Sequence, residues 1–170
     1  MPINRGPFNA LIDDDGSGKT GSIWNKAAIS GVLLDPIDAL VGPVTPYTPT
    51  WRTGTGAIAI NNGALAGLYV NVNGLVVFTI NMVWGSGTAG PTDAWLFGLP
   101  PPVPRTGFDI WGVGHALGPP YVPLYCLQFG ATEVQPVYGP GGTTETALSY
   151  TVPFTWAAGK RMVLSGAYFV

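Results

Sequence analysis

A chain of 170 residues can hold one ordinary domain with its own core. Hydrophobic residues make up 46% and charged residues only 9%, against about 25% charged in typical soluble domains. Net charge is −2 with no basic block, which argues against nucleic acid; the longest apolar run, Leu75 to Trp84, is too short to span a bilayer; and the single Cys126 excludes an intrachain disulfide framework.

Residues 1–21 are polar and turn-rich, with Gly6-Pro7 and then Asp13-Asp14-Asp15-Gly16-Ser17-Gly18-Lys19-Thr20-Gly21. The start has no charged residue followed by an apolar stretch, so no signal peptide is expected, and synthesis in a reducing cytoplasm is. A helix is expected next. Ser22 can cap it, and Ile23, Trp24, Ala27, Ala28, Ile29, Val32 and Leu33 recur at helical spacing. Gly31 weakens its interior and Pro36 stops or restarts it. A helix of about three turns is unstable alone and must pack on something. Residues 41–50 carry three prolines, Pro43, Pro46 and Pro49, and read as an extended connector. The expected division is an N-terminal anchoring arm over 1–45 and a β body over 46–170.

From Trp51 onward the pattern is β. Asn62-Gly63 marks a turn between Ile58-Ala59-Ile60 and a strand from Leu65 to Val72. Asn73-Gly74 is a strong hairpin signal because both residues tolerate positive φ. After it, Val76, Phe78, Ile80, Met82 and Trp84 fall on one face, with Thr79 and Asn81 on the other. Trp95–Leu99, Phe108–Val113 and Tyr121–Phe129 are further strand candidates, separated by Gly- and Pro-rich segments. Leu148, Tyr150, Val152, Phe154 and Trp156 alternate with polar residues and read as a strand. Pro153 removes a ladder donor, which marks that strand as an edge or a bulge. Ala158-Gly159 turns the chain into a last strand, Arg161 to Val170. Seven or eight short strands so punctuated read as an antiparallel β-sandwich, jelly-roll-like, carrying a short helical or extended arm.

Candidate chemistry is sparse. Gly16-Ser17-Gly18-Lys19-Thr20 lacks the leading glycine of a phosphate-binding loop, because Asp13 stands there. Asp13, Asp15 and Ser17 mimic the start of a calcium loop, but Trp24 occupies the position of its bidentate glutamate. Asp13–Asp15 therefore read as a solvated turn or a weak cation site. His115 is the only histidine, and Cys126 sits in the apolar run Leu124-Tyr125-Cys126-Leu127, where inert burial is the default. The acids of the body, Asp93, Asp109, Glu133 and Glu145, lie on four segments and single out no catalytic pair. No cofactor or metal, and no enzymatic activity, is expected. Aromatic residues are abundant, with six Trp, seven Tyr and seven Phe. Trp51, Trp111, Tyr121 and Tyr138 lie near Gly- and Pro-rich loops, where aromatics either stack on sugars or pack across a subunit interface.

Two stretches carry a resemblance. The first runs Phe8-Asn9-Ala10-Leu11-Ile12-Asp13-Asp14-Asp15-Gly16, through Trp24-Asn25-Lys26, to Leu34-Asp35-Pro36-Ile37-Asp38. It resembles N-terminal segments of tail, fibre and other virion proteins of tailed bacteriophages. The second runs from Tyr47-Thr48-Pro49-Thr50-Trp51 through Asn62-Gly63, Gly67-Leu68-Tyr69, Trp95-Leu96-Phe97-Gly98-Leu99-Pro100 and Thr155-Trp156 to Leu164-Ser165-Gly166-Ala167-Tyr168. It is similar to a small β-sandwich domain of phage minor tail and fibre proteins. The resemblance implies a virion location, a jelly-roll-like sandwich and a homotrimer. On that view Phe8, Ile23, Trp24, Ile29 and Leu33 of the arm dock on capsid or tail proteins, without membrane insertion. The body projects outward as a head-fibre, decoration or tail-fibre subunit and meets a host-surface glycan. A free-standing carbohydrate-binding module or lectin is the alternative class. A fibre-associated depolymerase would need an acid pair.

Overall fold

The computed structural model describes residues 42–105, 110–139 and 145–170, and the backbone alone of Trp111. The expected helix, the arm residues Phe8, Ile23, Trp24, Ile29 and Leu33, the Asp13–Asp15 loop and Asp109 lie outside them. Eleven strands follow in chain order: β1 (Thr45–Tyr47), β2 (Trp51–Thr53), β3 (Gly56–Ala57), β4 (Ala64–Val72), β5 (Leu75–Val83), β6 (Leu96–Gly98), β7 (Trp111–Leu117), β8 (Val122–Phe129), β9 (Glu133–Tyr138), β10 (Thr146–Ala147) and β11 (Arg161–Phe169). All pairings are antiparallel. The expectation of a mainly β, antiparallel body holds. The strands lie on one hydrogen-bonded path, β1-β4-β5-β11-β7-β8-β9-β6-β2-β3, curled as a half-barrel, with β10 on β9. Two separate sheets of a sandwich or jelly roll are not seen in that path.

Side-chain alternation decides which way each long strand faces. In β5, Val76, Phe78, Ile80 and Met82 point to the core and are almost fully buried, as their period of two requires. Met162, Leu164 and Tyr168 of β11 do the same, as do Val122, Leu124 and Cys126 of β8. The β4–β5 hairpin closes through Asn73 and Gly74, with φ of 49° and 88°, the left-handed pair of a two-residue turn. Near Asn62-Gly63 the chain turns over Ile60–Gly63, with Gly63 N–H donating to Ile60 O at 2.9 Å. The left-handed residue there is Asn61, at φ 49°. Asn61 and Asn62 then clasp the loop after β5: Asn61 Nδ2 donates to Gly87 O, and Gly87 N–H donates to Asn62 Oδ1, each at 2.7 Å.

Four local expectations change. The proline-rich connector supplies β1, whose Thr45 pairs with Tyr69 of β4, so the sheet begins inside the segment assigned to the arm. Pro46 is tolerated because β1 ends the strand path and has one neighbour. Residues 148–156 form no strand. Ser149 and Val152 make an isolated bridge and Trp156 N–H returns to Tyr150 O at 3.0 Å, so the chain folds back on itself. Leu148 and Trp156 are nonetheless buried there. Hydrophobic alternation survives while the ladder, interrupted by Pro153, does not. β9 was not expected. Its Pro136 stands past the end of β6, which pairs only with Glu133 and Val134. Trp51, expected at an exposed loop, lies on β2 and is buried.

Trp51, Trp84, Trp95 and Trp156 gather with Phe97 at the heart of the core. Trp84 stacks on Trp95 (5.5 Å between centroids, 17° between planes), and Trp51 meets Trp95 edge-on at 5.0 Å. Such pairs contribute about 0.5–1.5 kcal/mol each beyond area burial. The Tyr168 hydroxyl, at the other end of the core, donates to Pro100 O at 2.5 Å and lies 3.2 Å from Pro102 O, tying the triple-proline segment to β11.

Candidate functional site

The side of the sheet turned away from the core is the most distinctive surface. Across β4, β5, β11, β7 and β8 the outward positions line up by register. One row runs Leu68, Thr79, Ser165, Val113, Tyr125. The next runs Ala66, Asn81, Val163, His115, Pro123. On the far side of the first row Val70, Val77 and Ala167 continue the pattern. Leu68, Val77, Val113, Tyr125 and Leu127 are each 40–48% exposed. These five strands contain no Asp, Glu or Lys, and Arg161, at the start of β11, is their one formally charged residue. Sheets with a solvated face ordinarily alternate hydrophobic-in with polar-out. Here the outward positions other than Arg161 are aliphatic, aromatic or neutral polar.

The middle of the face carries a short polar stripe. Ser165 Oγ donates to Thr79 Oγ1 at 3.2 Å, and Thr79 Oγ1 donates to Leu164 O at 3.1 Å. Asn81 Oδ1 is buried and has no hydrogen-bond partner among the described residues. Beside the stripe, Pro46 and Thr48 from the β1 edge face Leu68, Thr79, Asn81 and Val163 across an open cleft of about 730 Å³. A smaller cleft of about 360 Å³ lies by Thr53, Thr55, Ile58 and Pro91.

The structure scatters the four aromatics singled out by sequence. Trp51 belongs to the core, where it touches Trp84, Trp95 and Phe97, so it neither stacks on a ligand nor lies at an interface. Tyr138 closes β9 and packs half-buried against the core. Trp111 opens β7, paired with Ala167. Tyr121 is 75% exposed on the β7–β8 connection. The residues that sequence reasoning missed are Leu68, Val77, Val113, Tyr125 and Leu127. Part of their signal was present: Leu68 and Val77 stand at outward positions of β4 and β5, beside the polar Thr79 and Asn81.

The reactive groups do not converge. Cys126 points to the core beside Gly112, and burial pushes its thiol up to about 12. His115 pairs with Pro123 on the outward side of the neighbouring strand. Glu133 is engaged by Arg52, whose Nε donates to Oε1 at 2.6 Å while its second nitrogen contacts Oε2. Among the described residues, no three His, Cys, Asp or Glu side chains come close enough to hold a metal ion.

Comparison with protein-family models, with curated proteins and with solved structures returns no match. The class that fold and surface define is a curled antiparallel β protein with a broad, nearly charge-free exposed sheet face.

Proposed function

We propose that this chain is a non-enzymatic structural subunit of a tailed-bacteriophage particle, a head-fibre, decoration or tail-fibre component working as a homotrimer. The observation that carries the reading is the outward face of β4, β5, β11, β7 and β8. Monomeric soluble proteins rarely expose apolar patches beyond about 300–600 Å², and the cores of subunit interfaces are depleted in charge. The resemblance of Phe8–Gly16 and Leu34–Asp38 to virion N-terminal segments supports a particle as the assembly. In this reading the residues ahead of β1 dock on capsid or tail proteins and the β body projects outward.

The described residues from β1 onward gather a hydrophobic cluster among themselves. Removal of residues 1–40 is expected to leave a body that keeps a β-sheet circular dichroism spectrum and cooperative unfolding but no longer joins the particle. Normal incorporation of that truncated chain contradicts the anchoring role. A second reading, a sugar-binding module, is favoured by Tyr121, an exposed tyrosine beside Pro119 and Pro120 of the kind that stacks on pyranose rings. Glycan-array binding that disappears in Tyr121→Ala supports it, and a blank array removes it.

A further inference from the structure

We infer that the outward face of β4, β5, β11, β7 and β8 is the surface through which copies of this chain associate. The inference rests on the reading above and names the partner of that face: a second copy of the same chain.

Size is the first argument. Five strands at about 4.8 Å spacing, seven to nine residues long at about 3.3 Å each, span roughly 24 by 27 Å, or about 650 Å² of flat sheet. Side-chain corrugation raises the accessible area above that figure, towards the ~800 Å² per partner that a specific interface buries. The face is therefore large enough to hold a stable contact by itself.

Charge is the second. A charged partner would find no counter-charge here except Arg161 at one corner, and its own charges would be desolvated without compensation. A copy of this face brings the same neutral groups, so self-contact adds no like-charge repulsion across the centre. Hydrogen-bonding capacity is the third. Ser165 is exposed on this face and its hydroxyl donates to Thr79, which leaves its oxygen able to accept from a hydroxyl of a neighbouring copy.

The test uses the full chain. Sedimentation velocity and native mass spectrometry should show a concentration-dependent oligomer, a trimer on the reading above. Val77→Lys and Tyr125→Lys each place an unpaired ammonium on the face, one towards either side of it, and should weaken self-association by at least about a hundredfold. Val103→Lys, at an exposed position on the proline-rich segment, should leave it unchanged. Val77 and Tyr125 point away from the core, and unchanged tryptophan fluorescence confirms folding. Hydroxyl-radical footprinting of the unaltered chain needs no variant. Leu68, Val77, Val113 and Tyr125 should be protected in the oligomer and labelled on dilution, while Tyr121 and Val103 are labelled in both.

A chain that stays monomeric at tens of micromolar overturns the inference, as do face variants that still oligomerise. Protection of the face that survives dilution to monomer also overturns it, because the chain itself then covers the surface. A monomer that is nevertheless found in particles sinks this inference and the homotrimer with it, and leaves the virion location standing. An oligomer with a protected face that is absent from particles sinks the virion reading alone.

Discussion

The indole of Trp51 lies parallel to the ring of Phe97, with 6.1 Å between centroids and 5° between planes, across the β2–β6 register that pairs the two residues. Through it the short strands β2 and β6 are joined to the tryptophan cluster that also holds Trp84 and Trp95. Among the described residues Trp51 Nε1 has no hydrogen-bond partner, whereas Trp95 Nε1 donates to Pro91 O at 3.2 Å and Trp156 Nε1 to Val152 O at 3.3 Å. Trp51→Ala should cost about 3–5 kcal/mol of stability. Trp51→Phe should cost less than Trp95→Phe or Trp156→Phe, because it strands no carbonyl. Urea unfolding of the three Phe variants checks the order, and equal losses contradict it.

Tyr168 makes its hydroxyl contacts with the carbonyls of Pro100 and Pro102, in a segment where proline itself supplies no N–H. Tyr168→Phe keeps the ring against Phe78 but leaves those acceptors unmatched. A loss of about 1–3 kcal/mol is expected, together with faster proteolysis between Leu99 and Arg105. Unchanged cleavage there would show that the segment is held by other contacts.

Gly67 is required by packing. A Cβ on it would lie 2.2 Å from the Tyr47 ring, which crosses over β4 at this point. Gly67→Val must push Tyr47 off the sheet, and with it β1. Amide exchange in β1 should quicken markedly while the β5–β11 ladder stays protected. A stability loss of about 1–3 kcal/mol accompanies it.

Alkali should weaken the fold through Cys126. Burial raises its thiol from 9.0 to about 12, so above pH 9 the unfolded chain releases a proton that the folded chain keeps. This contribution to stability is fully present below about pH 9. It then falls by about 1.4 kcal/mol per pH unit up to the folded value. Burial raises Tyr47 and Tyr168 as well, and they add to the slope from about pH 10. Melting temperatures of Cys126→Ala should therefore be flatter than those of the parent between pH 9 and 10. The native thiol should also resist thiol reagents at pH 8.

Much of the body was legible because β5 and β11 repeat with a clean period of two and are bounded by Asn73-Gly74 and Ala158-Gly159. The same period misled at 148–156, where Leu148 and Trp156 bury themselves without a ladder: periodicity reports which side is apolar, not whether a neighbouring strand is present. Trp51 was misplaced because its Gly- and Pro-rich surroundings are local, whereas its burial comes from Trp84, Trp95 and Phe97, which are distant in sequence. β1 and β9 were hidden by Pro46 and Pro136: β1 has a single neighbour, and Pro136 takes part through its carbonyl, which accepts from Leu148 N–H at 2.9 Å. The outward face was half legible. Thr79 and Asn81 suggested an ordinary wet side, while Val77, Val113 and Leu127, read strand by strand, gave no hint that register would join them into one surface.

Quantitative mass spectrometry of gradient-purified phage particles, made in cells that express this chain, tests the central claim most directly. A virion subunit is predicted to co-sediment with the particles at fixed stoichiometry to the major capsid protein, in a multiple of three copies. Recovery of the chain only in the soluble fraction, with none in particles, would contradict the account.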